Sequence, residues 1–129
     1  MMMKKKILII EDNEQNIYLI TFLLEKNGFL VIQARNGMDG ISMANAEQPD
    51  LILLDIQLPV MDGYAVAREL RKGQALQSTP IIAVTSFAMP GDKDQAILSG
   101  CTGYIEKPID PDKFVSQISL YLDVNKPGG

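Results

Sequence analysis

Short apolar runs recur along the chain and are separated by longer segments with the spacing of amphipathic helices. Their starts lie about 22 to 29 residues apart. Runs that are apolar throughout and rich in Ile, Leu and Val are typical of strands buried on both faces of a sheet. The pattern therefore predicts five β-strands, at residues 6–10, 29–34, 51–55, 80–85 and 103–107.

Helical segments fill the intervals between the predicted strands, and a last one closes the chain. Glycine often follows the last turn of a helix, and Asn or Asp often precedes the first turn. The predicted helix ends are at Gly28, near Pro49, at Gly73 and at Gly100, and the predicted N-caps are Asn36, Asp62 and Asp110.

Strands that alternate with helices in this way form a parallel sheet with helices on both faces. We expect an α/β protein with a flavodoxin-like, doubly wound, parallel sheet of five strands in the order 2-1-3-4-5. A chain of 129 residues suits a single domain, with a core at about 5–124 and a short disordered tail at 125–129. In this strand order the site lies beyond the carboxyl ends of strands 1 and 3.

Composition and charge exclude several classes of function. The formal net charge is −4, whereas binding to nucleic acid needs a basic surface. The chain has no histidine and one cysteine, so it has no Ser-His-Asp triad, no histidine metal site and no disulfide within the chain. The apolar run after the basic residues 4–6 is too short for a signal peptide or a membrane span. We expect a cytoplasmic protein that binds neither nucleic acid nor membrane.

Polar side chains stand at the carboxyl ends of most of the predicted strands. Glu11 and Asp12 follow strand 1, Asp55 ends strand 3, Thr85 ends strand 4 and Lys107 ends strand 5. Because strands 1 and 3 are neighbours in the expected order, their carboxylates should meet in one crevice. Carboxylates so close repel one another, and their ionised forms are favourable only beside a compensating cation.

The side chains at these strand ends favour a hard metal ion and a phosphoryl group. Oxygen ligands without histidine or cysteine select Mg²⁺, with Mn²⁺ as an alternative. A magnesium ion in a protein commonly also binds a phosphoryl group. The segment "IIEDNEQN" after strand 1, however, has no glycine-rich loop that would bind a nucleotide. Asp55 is therefore the expected nucleophile, with Thr85 and Lys107 holding the phosphoryl oxygens.

Four motifs at these strand ends resemble those of the receiver domain of two-component response regulators. They are "IIEDN" with Glu11 and Asp12, "LLDIQLPVMDG" with Asp55, Pro59 and Gly63, "AVTS" with Thr85, and "YIEKP" with Tyr104, Lys107 and Pro108. The resemblance extends over about residues 5–124. Within the family, "TSFAMPGD" followed by "GCTGYIEKPID" is most similar to single-domain regulators of the DivK type and to the receivers of hybrid kinases.

The resemblance implies a role in a signalling relay rather than enzymatic turnover. Asp55 would accept phosphate from a histidine of a sensor kinase or a histidine phosphotransfer protein, and the product would signal to a downstream protein. Asp12 would bind Mg²⁺ directly, Glu11 would bind it through water, and the backbone carbonyl of Gln57 would complete the protein ligands. The side chains of Gln57 and Phe87 would influence access of water to the phosphoryl linkage.

The resemblance also implies a conformational switch. Lys107 would pair with the phosphoryl group, and its peptide bond to Pro108 would be cis and would help to aim the side chain. Thr85 and Tyr104 would be the switch pair, because a Thr85 hydroxyl that bonds a phosphoryl oxygen vacates space for the Tyr104 ring. The surface formed by helix 4, strand 5 and helix 5 would then change.

The first helix carries more apolar residues than one face needs. We expect the face toward the sheet to contain Asn16, Leu19, Ile20, Leu23 and Asn27. A second apolar cluster, formed by Ile17, Tyr18 and Phe22, would then point away from the sheet. Scattered surface hydrophobics are common, but a docking patch for the phosphate donor is the more specific hypothesis because this helix adjoins the acidic crevice.

Three other functions compete with this interpretation. A phosphatase of the haloacid dehalogenase type needs a second aspartate two residues after the nucleophile, where this chain has Gln57. A flavodoxin-like FMN protein needs a phosphate-binding loop after strand 1. A receiver that acts as a scaffold without phosphorylation would not need the full set of charged residues at the strand ends.

Overall fold

The strands of the computed structural model, which describes residues 4–86 and 90–124, form one parallel sheet. Within those ranges five strands lie in the order β2-β1-β3-β4-β5, which confirms the predicted fold class. The strands are β1 (Lys6–Ile10), β2 (Leu30–Ala34), β3 (Leu51–Asp55), β4 (Ile81–Thr85) and β5 (Gly103–Glu106). Phe87 and the predicted tail at 125–129 lie outside the described residues.

Helices connect the strands and cover the sheet on both faces. They are α1 (Glu14–Lys26), α2 (Gly37–Glu47), α3 (Gly63–Leu70), α4 (Asp92–Leu98) and α5 (Phe114–Val124). A short 3-10 helix, Gln74–Leu76, follows α3 and was not predicted. None of the helices in the described ranges is long and apolar enough to cross a membrane.

Alternate residues of the central strands pack against different helices, as the period of two in a strand requires. One cluster joins Leu8, Ile10, Ile52 and Leu54 to Ala44 of α2, Val66 and Leu70 of α3, and Ala96 of α4. The other cluster joins Ile7, Ile9, Leu51 and Leu53 to Ile20 and Leu24 of α1 and to Phe114 and Ile118 of α5. The two layers hold the strand ends in fixed register.

The helix ends follow most of the predicted capping signals. The side chains of Asn36 and Asp62 accept hydrogen bonds from backbone N–H groups in the first turns of α2 and α3. Gly28 and Gly100 have φ of +88° and +113°, which suits a residue that ends a helix. Asp110 differs from the prediction, because its side chain closes a turn with the N–H of residue 112 and α5 begins only at Phe114.

The inner face of α1 differs from the prediction. Ile17, Ile20 and Leu24 are the buried residues of this helix, at positions i, i+3 and i+7. The prediction that Ile17 points away from the sheet is therefore wrong, because the buried stripe is rotated toward it. Tyr18 and Phe22 are 74% and 52% exposed, as predicted.

A half-buried arginine ties together loops at the end of the sheet opposite the predicted site. Arg71, just after α3, donates hydrogen bonds to the backbone carbonyls of Gly100 at 2.8 Å, Leu76 at 2.6 Å and Thr79 at 2.8 Å. Carbonyls in such loops lack partners in a helix or a sheet, and the guanidinium supplies donors in a fixed geometry. Arg71 therefore joins the 3-10 helix, the start of β4 and the end of α4.

Candidate functional site

The acidic residues meet because their strands end in register. Ile10 is paired with Leu54, so that Glu11 and Asp55 come next along β1 and β3. Both side chains are buried, whereas Asp12 is exposed. Within the described ranges these three residues each offer an oxygen, and the three oxygens lie within 4.8 Å of one another. The predicted convergence is therefore confirmed.

Lys107 supplies the positive charge that faces the buried carboxylates. Its Nζ lies 3.0 Å from Glu11 Oε1 and 3.5 Å from Asp55 Oδ1. The Lys107 side chain is only 14% exposed, so that water screens these pairs weakly. The peptide bond between Lys107 and Pro108 is cis, as predicted.

Glu11 shows that one lysine does not fully compensate the acidic cluster. Burial raises the pKa of Glu11, and a hydrogen bond with Asp55 and its charge raise it further. Lys107 and the backbone N–H of Asn13 oppose these effects and lower the pKa. The Asn16 side chain also donates to Glu11 Oε1, at 3.4 Å. Asn13 and Asn16 are site residues that the strand-end motifs do not predict, although their position just after strand 1 is a usable signal.

The Gln57 side chain crosses from the loop after β3 to the end of β4. Its amide nitrogen donates to the hydroxyl of Thr85, and its amide oxygen accepts from the N–H of Ser86 at 3.2 Å. The backbone N–H of Gln57 donates to Asp55 Oδ1 at 2.9 Å. The sequence predicts a role only for the Gln57 carbonyl and an influence of its side chain on water access, and no sequence signal predicts the contact with Thr85.

Thr85 and Tyr104 lie together, as expected for a pair that switches. Thr85 is buried at the end of β4, and Tyr104 is half-buried on the neighbouring β5, where the strand register places it beside the end of β4. Burial raises the pKa of Tyr104, the charges of Asp92 and Glu106 raise it further, and the neighbouring Thr85 side chain lowers it. A movement of the Thr85 side chain would therefore be felt directly by Tyr104 on β5.

The loop after β3 folds back closely on the strand end. A Cβ atom at Gly63 would lie 2.6 Å from the carbonyl oxygen of Asp55 and 2.6 Å from Cα of Ile56. Real Cβ atoms do not approach backbone so closely, which explains the glycine of the "MDG" segment. Gly63 also donates its N–H to the carbonyl of Ile56, at 3.0 Å. The start of α3 is therefore packed directly against the residue that carries the carboxylate.

The donor set fits a magnesium ion. Magnesium prefers oxygen ligands and is commonly bound through one or two carboxylates together with phosphate and water. The carboxylates of Glu11, Asp12 and Asp55 provide such ligands, and the ammonium of Lys107 offsets only part of their charge. A divalent cation would relieve the repulsion that raises the pKa of Glu11.

A cleft between α1 and the loop after β5 opens beside the site. Its lining includes Asn16 and Leu19 of α1, and Lys107, Pro108 and Ile109. Tyr18 and Phe22 lie on the same helix but at its exposed side, and Lys26 Nζ lies 5.8 Å from the centre of the Phe22 ring. The exposed side of α1 thus carries two aromatic residues among charged and polar ones, and Ile17 does not belong to it.

Known proteins resemble the chain in sequence and in fold. It is 43% identical over 120 residues to the polar-differentiation response regulator DivK of Brucella anthropi, and the match covers 93% of this chain and 98% of the relative. DivK of Brucella ovis is 42% identical over the same shares.

Among solved structures, the receiver domain of the sensor histidine kinase PA1611 from Pseudomonas aeruginosa has a TM-score of 0.86 and 30% identity, and the match covers 94% of this chain and 99% of that one. That structure holds a magnesium ion in its active-site cleft. A CheY-like receiver domain protein from Methanospirillum hungatei has a TM-score of 0.90 and 28% identity, with 98% of this chain and 100% of that one covered.

The family description agrees with these relatives. The response regulator receiver domain matches residues 7–119, which is most of the chain. Receiver domains are phosphoryl-accepting proteins of two-component signalling, and they bind Mg²⁺ at an acidic site. By its sequence, its strand order and its acidic strand ends, this chain belongs to the response regulator receiver domain family.

Proposed function

We propose that Asp55 accepts a phosphoryl group from a phosphohistidine of a sensor kinase or of a histidine phosphotransfer protein. The observation that carries this proposal is the environment of the Asp55 carboxylate. It is buried at a strand end, it accepts a hydrogen bond from the N–H of Gln57, and the ammonium of Lys107 lies 3.5 Å away. The hydrogen bond fixes the orientation of this carboxylate, and the ammonium of Lys107 offsets part of its negative charge, so that it can act as a nucleophile.

The transfer makes one bond and breaks one. A carboxylate oxygen of Asp55 attacks phosphorus, the bond between phosphorus and the imidazole nitrogen breaks, and that nitrogen takes up a proton from solvent. Lys107 and the hydroxyl of Thr85 would stabilise charge on the phosphoryl oxygens. Bound at Glu11, Asp12, Asp55 and the carbonyl of Gln57, Mg²⁺ would supply charge neutralisation for the incoming phosphoryl group.

The proposed output is a change of surface rather than a reaction. A phosphoryl group adds charge and acceptor oxygens, and the Thr85 hydroxyl would move to bond one of them. Tyr104 lies on the neighbouring strand and would turn into the space that the Thr85 side chain vacates. The surface of α4, β5 and α5 would then bind a downstream protein.

The side chain of Gln57 argues against the alternative that the protein is a phosphatase. An acid-base group is needed two residues after the nucleophile in the haloacid dehalogenase reaction, and an amide cannot serve as one. Here that amide is already bonded to Thr85 and Ser86. The chain thus fits a regulator that acts through protein partners better than an enzyme that turns over substrate.

Mass spectrometry of the intact protein tests the proposal. After incubation with acetyl phosphate and Mg²⁺, we expect one added phosphoryl mass on the wild type and none on Asp55→Asn. Chelation of Mg²⁺ should prevent the labelling. An added mass that survives Asp55→Asn would assign the acceptor elsewhere, and a wild type that never labels would favour a receiver that acts as a scaffold.

A further inference from the structure

The Gln57 amide holds two groups at the end of β4 at the same time. The backbone N–H of Ser86 can only donate, so it fixes the amide oxygen toward Ser86 and the amide nitrogen toward Thr85. The orientation of the amide is therefore set by its partners. Gln57 acts as a bridge between the loop after β3 and the first residues after β4.

The bridge reaches the hydroxyl that would have to move on phosphorylation. Asp55 is paired with Val84, so that Thr85 lies one residue further along the neighbouring strand. A threonine hydroxyl has one donor and two acceptor positions. Gln57 occupies one acceptor position of the Thr85 hydroxyl. A Thr85 hydroxyl that leaves to bond a phosphoryl oxygen gives up this contact.

We infer that Gln57 is a positioning residue that stabilises the resting, unphosphorylated arrangement of Thr85. This inference rests on the proposed function, since it needs a phosphoryl group at Asp55. An interaction made only in the resting state shifts the equilibrium away from the active state and weakens any ligand that selects the active state. The Gln57 side chain therefore raises the free energy that phosphorylation must supply to shift the protein to its active state.

Gln57→Met separates this role from the others assigned to Gln57. Methionine has a similar length and shape, but it has no donor for the Thr85 hydroxyl and offers the N–H of Ser86 only a weak sulfur acceptor. The backbone N–H to Asp55 and the backbone carbonyl proposed as a metal ligand remain. Gln33→Met is the matched control, because the Gln33 amide also donates to a threonine hydroxyl, that of Thr21 at 2.9 Å, away from the acidic site.

The measured quantity is the affinity for beryllofluoride, a phosphoryl mimic, in the presence of Mg²⁺, followed by ¹⁹F NMR. We expect Gln57→Met to tighten this affinity by about three- to tenfold, the equivalent of one hydrogen bond. Gln33→Met should change neither this affinity nor the affinity for Mg²⁺. Because the Gln57 carbonyl is a proposed metal ligand, the Mg²⁺ affinity of Gln57→Met is measured separately and beryllofluoride binding is compared at saturating Mg²⁺. In a Thr85→Val background, Gln57→Met should have no further effect, because the contact is already absent.

A second readout needs no ligand. Loss of the Gln57 oxygen should speed amide hydrogen exchange at Ser86 in the resting protein, measured by NMR. Unchanged or weaker beryllofluoride binding by Gln57→Met, with Asp55 still labelled by acetyl phosphate, would overturn the inference and leave the proposed function standing. A wild type that neither labels nor binds beryllofluoride would overturn both.

Discussion

Asp55 lowers the folding stability of the metal-free protein because it shares a buried crevice with a second carboxylate. Glu11 and Asp55 are both almost fully buried, and Lys107 is shared between them. The pKa of Glu11 is raised by its burial and, in addition, by the hydrogen bond with Asp55 and by the charge of that residue. Residues at a functional site are commonly selected at the expense of stability, and the acidic cluster fits that pattern.

We predict that Asp55→Asn stabilises the metal-free protein and weakens its response to magnesium. Removing one of two buried like charges should raise the free energy of unfolding in EDTA by about 1 kcal/mol. Thermal unfolding with and without Mg²⁺ measures both effects, since a ligand bound only to the folded state raises the melting temperature.

Asp94→Asn is the control for this prediction, because Asp94 is exposed on α4 and should change stability by less than about 0.5 kcal/mol. Destabilisation by Asp55→Asn in EDTA would contradict the argument.

Cys101 should be unreactive at neutral pH. It is 5% exposed, and burial raises the pKa of its thiol from 9.0 to about 11. The thiolate is the reactive form, so that at pH 8 its population falls by about a hundredfold from that shift alone. We expect slow reaction with Ellman's reagent in the native state and rapid reaction in guanidinium chloride. Equally fast reaction in both states would show that the thiol is accessible.

Individual residues were predicted well where the backbone alone decides their place. Glu11, Asp55, Thr85 and Lys107 follow strand ends, and parallel strands bring their ends to one edge whatever the side chains do. Gln57 was incompletely predicted because its contact with Thr85 depends on a rotamer and on the path of a loop.

At the scale of elements, the strands were predicted within one residue and the helices less accurately. Buried strands are marked by unbroken apolar runs, whereas the phase of α1 depends on small differences between adjacent leucines and isoleucines. Ile17 was placed outside for that reason. The 3-10 helix Gln74–Leu76 has too few residues to show a period, and α5 starts later than Asp110 suggested because a turn precedes it.

Arg71 is expected to be the most important charged residue for stability outside the acidic site. Arg71→Met would leave the carbonyls of Leu76, Thr79 and Gly100 without its donors, and we expect a loss of about 2–3 kcal/mol. Urea unfolding measures it.

The neighbouring Lys72→Met is the control for Arg71→Met. The Lys72 side chain is 71% exposed and pairs with Glu69 one turn earlier, so that its loss should cost less than about 1 kcal/mol. Equal effects of the two substitutions would argue that Arg71 acts by charge and not by its hydrogen bonds.

At the scale of the whole molecule, the proposed site for receiving the phosphoryl group and the proposed surface for output lie at different places on the sheet. The exposed aromatic side chains of Tyr18 and Phe22 lie on α1, on the opposite sheet face from α4. Since α5 packs on the same face as α1, the sheet separates only α4 from α1. We propose α1 as the docking surface for the phosphate donor and the surface of α4, β5 and α5 for the recipient of the signal.

Alanine at both Tyr18 and Phe22 should slow phosphoryl transfer from a kinase or phosphotransfer protein by at least about tenfold, since buried aromatic anchors dominate interfaces. Labelling by acetyl phosphate should be unchanged, because a small donor needs no docking surface. Leu30→Ala is the control: Leu30 is also exposed, but it lies at the opposite end of the sheet. Parallel loss in both labelling assays would indicate damage to the acidic site.

The close approach of Gly63 to Asp55 has a mechanical consequence. With no room for even a methyl group between them, the first turn of α3 cannot move closer to the end of β3. If Asp55 is phosphorylated, a displacement toward α3 would therefore meet backbone atoms. On the side of β4, the Thr85 side chain can exchange its hydrogen-bond partner without moving a backbone, so we expect the proposed change to pass through β4 and β5.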